Sequence, residues 1–151
     1  MDGDILGKIK TELDTYVYNH IDHISRIVDF HNGLQNHIAA MSEMFGLKSV
    51  VEYQVGKGKS KYIDVVWMDK EIVYAIEIDS SLKKGSLKKL NRINAENKIW
   101  ILYCNNIYDC NNDYNYSFYN LMCTYNMNNE ISIIYLGAIR QYLRAKIKGK
   151  L

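Results

Sequence analysis

Three acids stand where a sequence this apolar should not carry them. Asp64 interrupts the run YIDVVWM, and Glu77 and Asp79 interrupt IVYAIEID. Both segments have strand character, and side chains on a strand alternate between faces. Asp64 then shares a face with Val66 and Met68, while Glu77 and Asp79 share one with Val73 and Ala75. Charges in strands this apolar are costly unless paired or bound to metal. If the two strands are neighbours, Asp64 and Glu77 come close, and a cation between them would relieve their repulsion. Mg²⁺ or Mn²⁺ suits such a site, because a hard ion takes oxygen ligands and keeps several waters. Glu52, on the preceding strand with Val50 and Gln54, is a candidate fourth acid at the rim or a solvent-facing residue. The competing explanation for Asp64 and Glu77 is exposed strand ends or salt bridges to nearby lysines.

The elements that must position these acids follow from periodicity. Ile5, Leu6, Ile9, Leu13 and Val17 recur at helical spacing and predict a helix from residue 3 to about 19. A second helical tract runs from about Ile21 to Phe45, with a break or kink expected at Asn32-Gly33 and a cap at Gly46. The period then changes to two. Val50–Val55, Tyr62–Met68 and Ile72–Asp79 read as an antiparallel meander joined by GKGKSK and Asp69-Lys70-Glu71. Ser86 to Asn97 reads as a helix with Leu87, Leu90 and Ile93 on one face. Ile99 to Cys104, IWILYC, reads as a strand buried on both faces. A helical piece at 117–125, a strand at 131–136 and a basic helix at 138–148 complete the chain. The expected class is α/β: a central mixed sheet with a three-strand meander and flanking helices. One domain, 1–151, is expected. It divides into a helical N-terminal region (1–46), a core (47–104) and a variable Asn/Tyr-rich segment with the terminal strand and helix (105–151).

This order of elements resembles the PD-(D/E)XK nuclease superfamily, whose fold is restriction-endonuclease-like. The matching residues are Asp64 in K-Y-I-D-V-V-W and Glu77 in A-I-E-I-D, and the resemblance spans about Leu34 to Cys104. It implies a metal held by Asp64, Glu77 and the backbone carbonyl of Ile78, with Asp79 a further candidate acid of the catalytic set, and hydrolysis of DNA phosphodiester bonds. The chain departs from the pattern at Asp79, which stands where the family's third strand has lysine. Some members move that lysine to the following helix. With Leu87, Leu90 and Ile93 as the core stripe, Lys89 falls at its edge, while Lys84 and Lys88 point outward. Lys89, in S-L-K-K-L, is the expected replacement; Lys83 is the reserve, and a snorkelling boundary lysine is the competing reading.

Net charge is only +2, so a nucleic-acid partner would have to be recognised locally. Lys57, Lys59 and Lys61 share one loop and are expected to touch phosphates. Lys83, Lys84, Lys88, Lys89 and Arg92 follow the acidic strand, and Arg140, Arg144, Lys146, Lys148 and Lys150 crowd the end. Three solvated faces explain the same clusters. Tyr108, Tyr114, Tyr116, Tyr119 and Tyr125 are of a type that stacks on unpaired bases or lines a dimer interface. A homodimer would suit cutting two strands. A catalytically inactive nuclease fold that binds nucleic acid or a protein partner is the alternative, motivated by Asp79. A structural α/β protein with incidental acids is the third reading.

Other features exclude function classes. Cys104, Cys110 and Cys123 are odd in number and lack CxxC spacing, so neither a disulfide framework nor a zinc site is expected. His20 and His23, and likewise His31 and His37, read as surface or boundary residues. Ser80-Ser81 has no evident base and reads as a turn or cap, and G-K-G-K-S lacks the phosphate-loop spacing. Trp67 and Trp100 read as core. No apolar run approaches a membrane span, and the opening MDGDILGKIK lacks a signal-peptide pattern. A soluble, cytoplasmic protein is the expectation.

Overall fold

The computed structural model describes residues 3–57, 61–104 and 118–149. The apolar spacing of the first segment builds α1 (Gly3–His20), which buries Ile9 and Leu13. A single-turn helix at Ile21–His23 and a short extended stretch lead into α2 (Ile27–Met41). α2 buries Phe30, Leu34, Gln35, Ile38 and Met41. The expected break at Asn32-Gly33 is absent, and α2 runs straight through both residues. Gly33 is there for contact: a Cβ at that position would run into the Tyr16 hydroxyl of α1. The break falls instead before α2, where Ile24 and Arg26 are extended. Gly46, at φ 69°, ends the helical region in the left-handed conformation, as a cap requires.

Five strands follow the change of period: β1 (Lys48–Gln54), β2 (Tyr62–Met68), β3 (Ile72–Asp79), β4 (Asn97–Leu102) and β5 (Ile131–Tyr135). They lie in chain order in one mixed sheet; β1, β2 and β3 are antiparallel neighbours, while β3–β4 and β4–β5 are parallel. α3 (Lys84–Arg92) forms the crossover from β3 to β4, and α4 (Phe118–Tyr125) and α5 (Ile139–Ile147) flank the last strand. The helix expected over 86–97 is shorter at its end, because Asn97 must already pair with Tyr74 to start β4. Val73 also departs from expectation. A register shift between Trp67 and Met68 leaves it on the opposite face from Ala75.

Three layers result. One face of the sheet packs Val65, Trp67, Ile76, Ile78, Ile99 and Ile101 against α1, α2 and α5. The other packs Val66, Ala75, Trp100 and Leu102 against Leu87 and Leu90 of α3 and Leu121 of α4. β4 is buried on both faces, in keeping with its unbroken apolar run. β3 is the central strand, so the acids at its end lie in the middle of the fold. No helix among the described residues is long and apolar enough to cross a membrane.

Two glycines should respond oppositely to alanine. Gly46→Ala forces a Cβ into the left-handed region and is expected to cost about 1 kcal/mol. Gly85→Ala adds its methyl to open space in α3 and should stabilise by about 0.5–1 kcal/mol. Denaturant midpoints of the two variants check the signs.

Candidate functional site

The β2–β3 ladder stops short of the acids. Val65↔Ile76 is the last pair toward that end. Beyond it the Asp64 side chain replaces the missing backbone partner: Ile78 donates its N–H to Asp64 Oδ2 at 2.7 Å. Opposite, the β1–β2 pairing passes from Val51↔Val65 to Tyr53↔Ile63, skipping Glu52, which sits at φ 54°. β2 therefore turns locally at Asp64, and Ile63 joins the α3-side core. Gln35 of α2 supports the turn by donating Nε2 to the Asp64 carbonyl at 3.0 Å.

The opening so made is a cleft of about 210 Å³ lined by Asp64, Glu77, Ile78 and Asp79 of the strands, with Lys83, Ser86 and Lys89 beside them and His31 and Ser80 at the margin. Glu77 is 1% exposed. Lys89 reaches it from α3: Nζ lies 2.8 Å from Glu77 Oε1 and donates to the Tyr62 carbonyl at 2.8 Å. The ammonium is thus the partner of that buried oxygen, an ion pair at hydrogen-bonding distance. Burial first, then the charge of Asp64, push Glu77 up to about 9, and Lys89 pulls the other way without prevailing.

Asp79 is committed differently. Trp100 donates its indole N–H to Oδ2 at 2.7 Å, Ser86 adds a hydrogen bond, and Lys83 Nζ stands 3.7 Å from Oδ1. Burial still raises its pKa, against the pull of those donors. The lysine position of the resembled pattern thus holds an acid tied to the cleft wall. Lys88 and Lys84 face outward, as helical spacing implies.

Not every expected residue enters the cleft. Glu52 is exposed on β1 and is not among the cleft's lining residues. Lys57 is exposed in the β1–β2 loop, Lys61 lies half-buried beside α3, and Lys59 is outside the described residues. Tyr119 is exposed and Tyr125 half-buried on α4; Tyr108, Tyr114, Tyr116 and Cys110 are outside the described residues. Cys104 and Cys123 are free thiols.

His31 reads from sequence as a boundary histidine, yet it lines the cleft. Its Nδ1 lies 2.8 Å from the Tyr103 hydroxyl, which also bonds Ser80. Burial pushes Tyr103 up to about 12, so the phenol keeps its proton. His31 and Gln35, one helical turn apart beside the Leu34–Ile38 stripe of α2, are the available signal: two polar side chains edging an apolar face.

The donor chemistry fits a hard divalent cation. Asp64 and Glu77 bring carboxylate oxygens to one cleft that Ile78 also lines, and Glu77 Oε1 is paired there with Lys89. Among the described residues no three His, Cys, Asp or Glu side chains form a metal-ligand group. An ion here would have two carboxylates and would rely on a backbone carbonyl and water for the rest, an arrangement Mg²⁺ tolerates.

Glu77 sets a pH dependence of stability. Its folded pKa lies above the ordinary glutamate value of 4.5, so its contribution is fully present below that value and is lost as pH rises toward about 9. Glu77→Gln should flatten this slope and raise stability at pH 8 by about 1–3 kcal/mol, read from urea unfolding at pH 5 and 8. Trp100→Phe should cost about 1–3 kcal/mol in the same assay by leaving Asp79 Oδ2 without its indole donor.

Comparison with protein-family models, curated proteins and solved structures finds no match to this chain.

Proposed function

We propose that this protein is a metal-dependent phosphodiesterase of restriction-endonuclease-like fold that hydrolyses nucleic acid, with DNA as the first substrate to test. The observation that carries the reading is the position of Lys89. A helix following the acidic strand delivers an ammonium 2.8 Å from a buried carboxylate, in the cleft that Asp64 also lines. Lys89 is held twice, by Glu77 and by the Tyr62 carbonyl, which fixes its ammonium at the cleft.

Asp64, Glu77 and the Ile78 carbonyl would hold the divalent cation, Mg²⁺ or Mn²⁺. When bound, such an ion supplies Lewis-acid stabilisation of phosphate charge and an acidified water. Lys89 presents fixed positive charge beside the position a phosphate would take, where it can neutralise charge that grows during attack and orient the nucleophile. Glu77 must surrender its proton before it can act as an anionic ligand, so cation binding should release a proton and weaken as pH falls. Asp79 fixes the cleft wall through Trp100 and Ser86.

A second reading has one observation in its favour: an acid, Asp79, occupies the position of the pattern's lysine. A third carboxyl repels a phosphate, and a fold that binds nucleic acid or a protein partner without cutting would tolerate this.

Labelled single-stranded, duplex and branched DNA, incubated with Mg²⁺ or Mn²⁺, separates the two. Wild type is expected to cleave at least one of them. Asp64→Asn, Glu77→Gln and Lys89→Met should each lower the rate by roughly 10²–10³-fold. Binding with no cleavage by wild type favours the second reading. Equal cleavage by wild type and Glu77→Gln overturns the site.

A further inference from the structure

α3 carries a charge imbalance that the acidic cleft does not use. Its sequence, KGSLKKLNR, holds four cations and no acid in nine residues. Lys84, Lys88 and Arg92 follow one another at every fourth position and stand exposed on one side of the helix. Like charges at that spacing oppose helix formation, so the row costs α3 stability. Beside the row runs an open groove of about 640 Å³, larger than the acidic cleft. Lys61 of the β1–β2 loop closes its other side. Six of its nine lining residues are basic and none is acidic: Lys61, Lys83, Lys84, Lys88, Lys89 and Arg92.

The groove and the cleft are continuous through shared walls. Lys83, Ser86 and Lys89 line both. Two of these have their charge directed toward cleft acids, Lys83 toward Asp79 and Lys89 toward Glu77. The remaining cations stand farther along the groove. At a helical rise of about 1.5 Å per residue, each step in the row Lys84–Lys88–Arg92 advances about 6 Å. That step is comparable to the separation of consecutive phosphates along one polynucleotide strand. A concave, acid-free cationic track of this kind concentrates field lines and favours a polyanion over a single anion.

We propose that the α3 groove holds one strand of a polynucleotide by three consecutive phosphates, on Lys84, Lys88 and Arg92, with Lys61 opposite, and leads that strand into the acidic cleft. The inference deepens the phosphodiesterase reading and rests on it for the direction of the strand, but the binding itself requires no metal. The contacts are to backbone phosphate, so the track positions the strand without reading its bases. Single-stranded DNA, RNA and one strand of a duplex share this chemistry.

The test is fluorescence anisotropy in EDTA with a fluorescein-labelled thymidine homopolymer, a uridine homopolymer and a DNA duplex, over a range of salt concentrations. Lys88→Gln/Arg92→Gln removes two exposed cations of the row. It should weaken binding roughly tenfold or more and reduce the slope of log affinity against log salt by about 1.5, since each neutralised phosphate contributes roughly 0.7–0.9. Lys48→Gln/Lys70→Gln makes the same charge change at the other end of the meander, at the start of β1 and in the β2–β3 turn, and should leave affinity and slope unaltered. Whichever probe binds best with Lys88 and Arg92 required identifies the strand's source. Equal losses from the two double variants would reduce the effect to overall charge and overturn the proposal, as would no loss from the first. Groove-dependent binding without cleavage in Mg²⁺ leaves this inference standing and removes the phosphodiesterase reading. Cleavage with binding indifferent to Lys88 and Arg92 does the reverse.

Discussion

A carboxyl group buried at the centre of a five-stranded sheet constrains much of what surrounds it. Glu77 sits on the middle strand with almost no exposure, where an isolated charge would be prohibitively expensive. The neighbouring elements are arranged to reduce that cost. β2 turns away at Asp64 and leaves space instead of a closed ladder. α3 is placed so that Lys89 spans from the β2 backbone to the carboxyl. The relief is incomplete, since burial and Asp64 together outweigh Lys89 and hold the group toward its neutral form.

The neighbouring acid has a different solution. Asp79 is nearly as buried, but indole, hydroxyl and ammonium donors surround it. Two carboxyls two residues apart on one strand face thus have separate environments: one is held by indole, hydroxyl and ammonium donors, the other faces Lys89 and the opposing charge of Asp64. Environment of this kind, more than residue type, separates a structural carboxyl from a reactive one.

Much of this is legible in the residues alone. The meander can be read because period two changes faces residue by residue, and an acid in such a run stands out. Lys89 can be placed because helical geometry fixes angles once Leu87 and Leu90 define the buried side. Relations between residues distant in sequence escape such reading. The Trp100–Asp79 bond links two strands, and the His31–Tyr103 bond links α2 to the chain 72 residues later. Asn32-Gly33 resembles a break because local propensity favours one, yet Tyr16 from another helix makes glycine the fitting residue there. α3 ends earlier than its periodicity implies because the start of β4 is set by its pairing with β3. Local rules cannot supply a register that a partner strand imposes.

Glu52, a candidate rim acid by sequence, has a consequence of another kind. β1 is an outer strand, and a flat outer strand offers unpaired backbone groups to any passing chain. A left-handed residue in its middle interrupts the even spacing of those groups, and an exposed carboxylate beside the interruption resists a docking strand. The local irregularity that accompanies the opening at Asp64 therefore also makes that side of the sheet a poor template for aggregation.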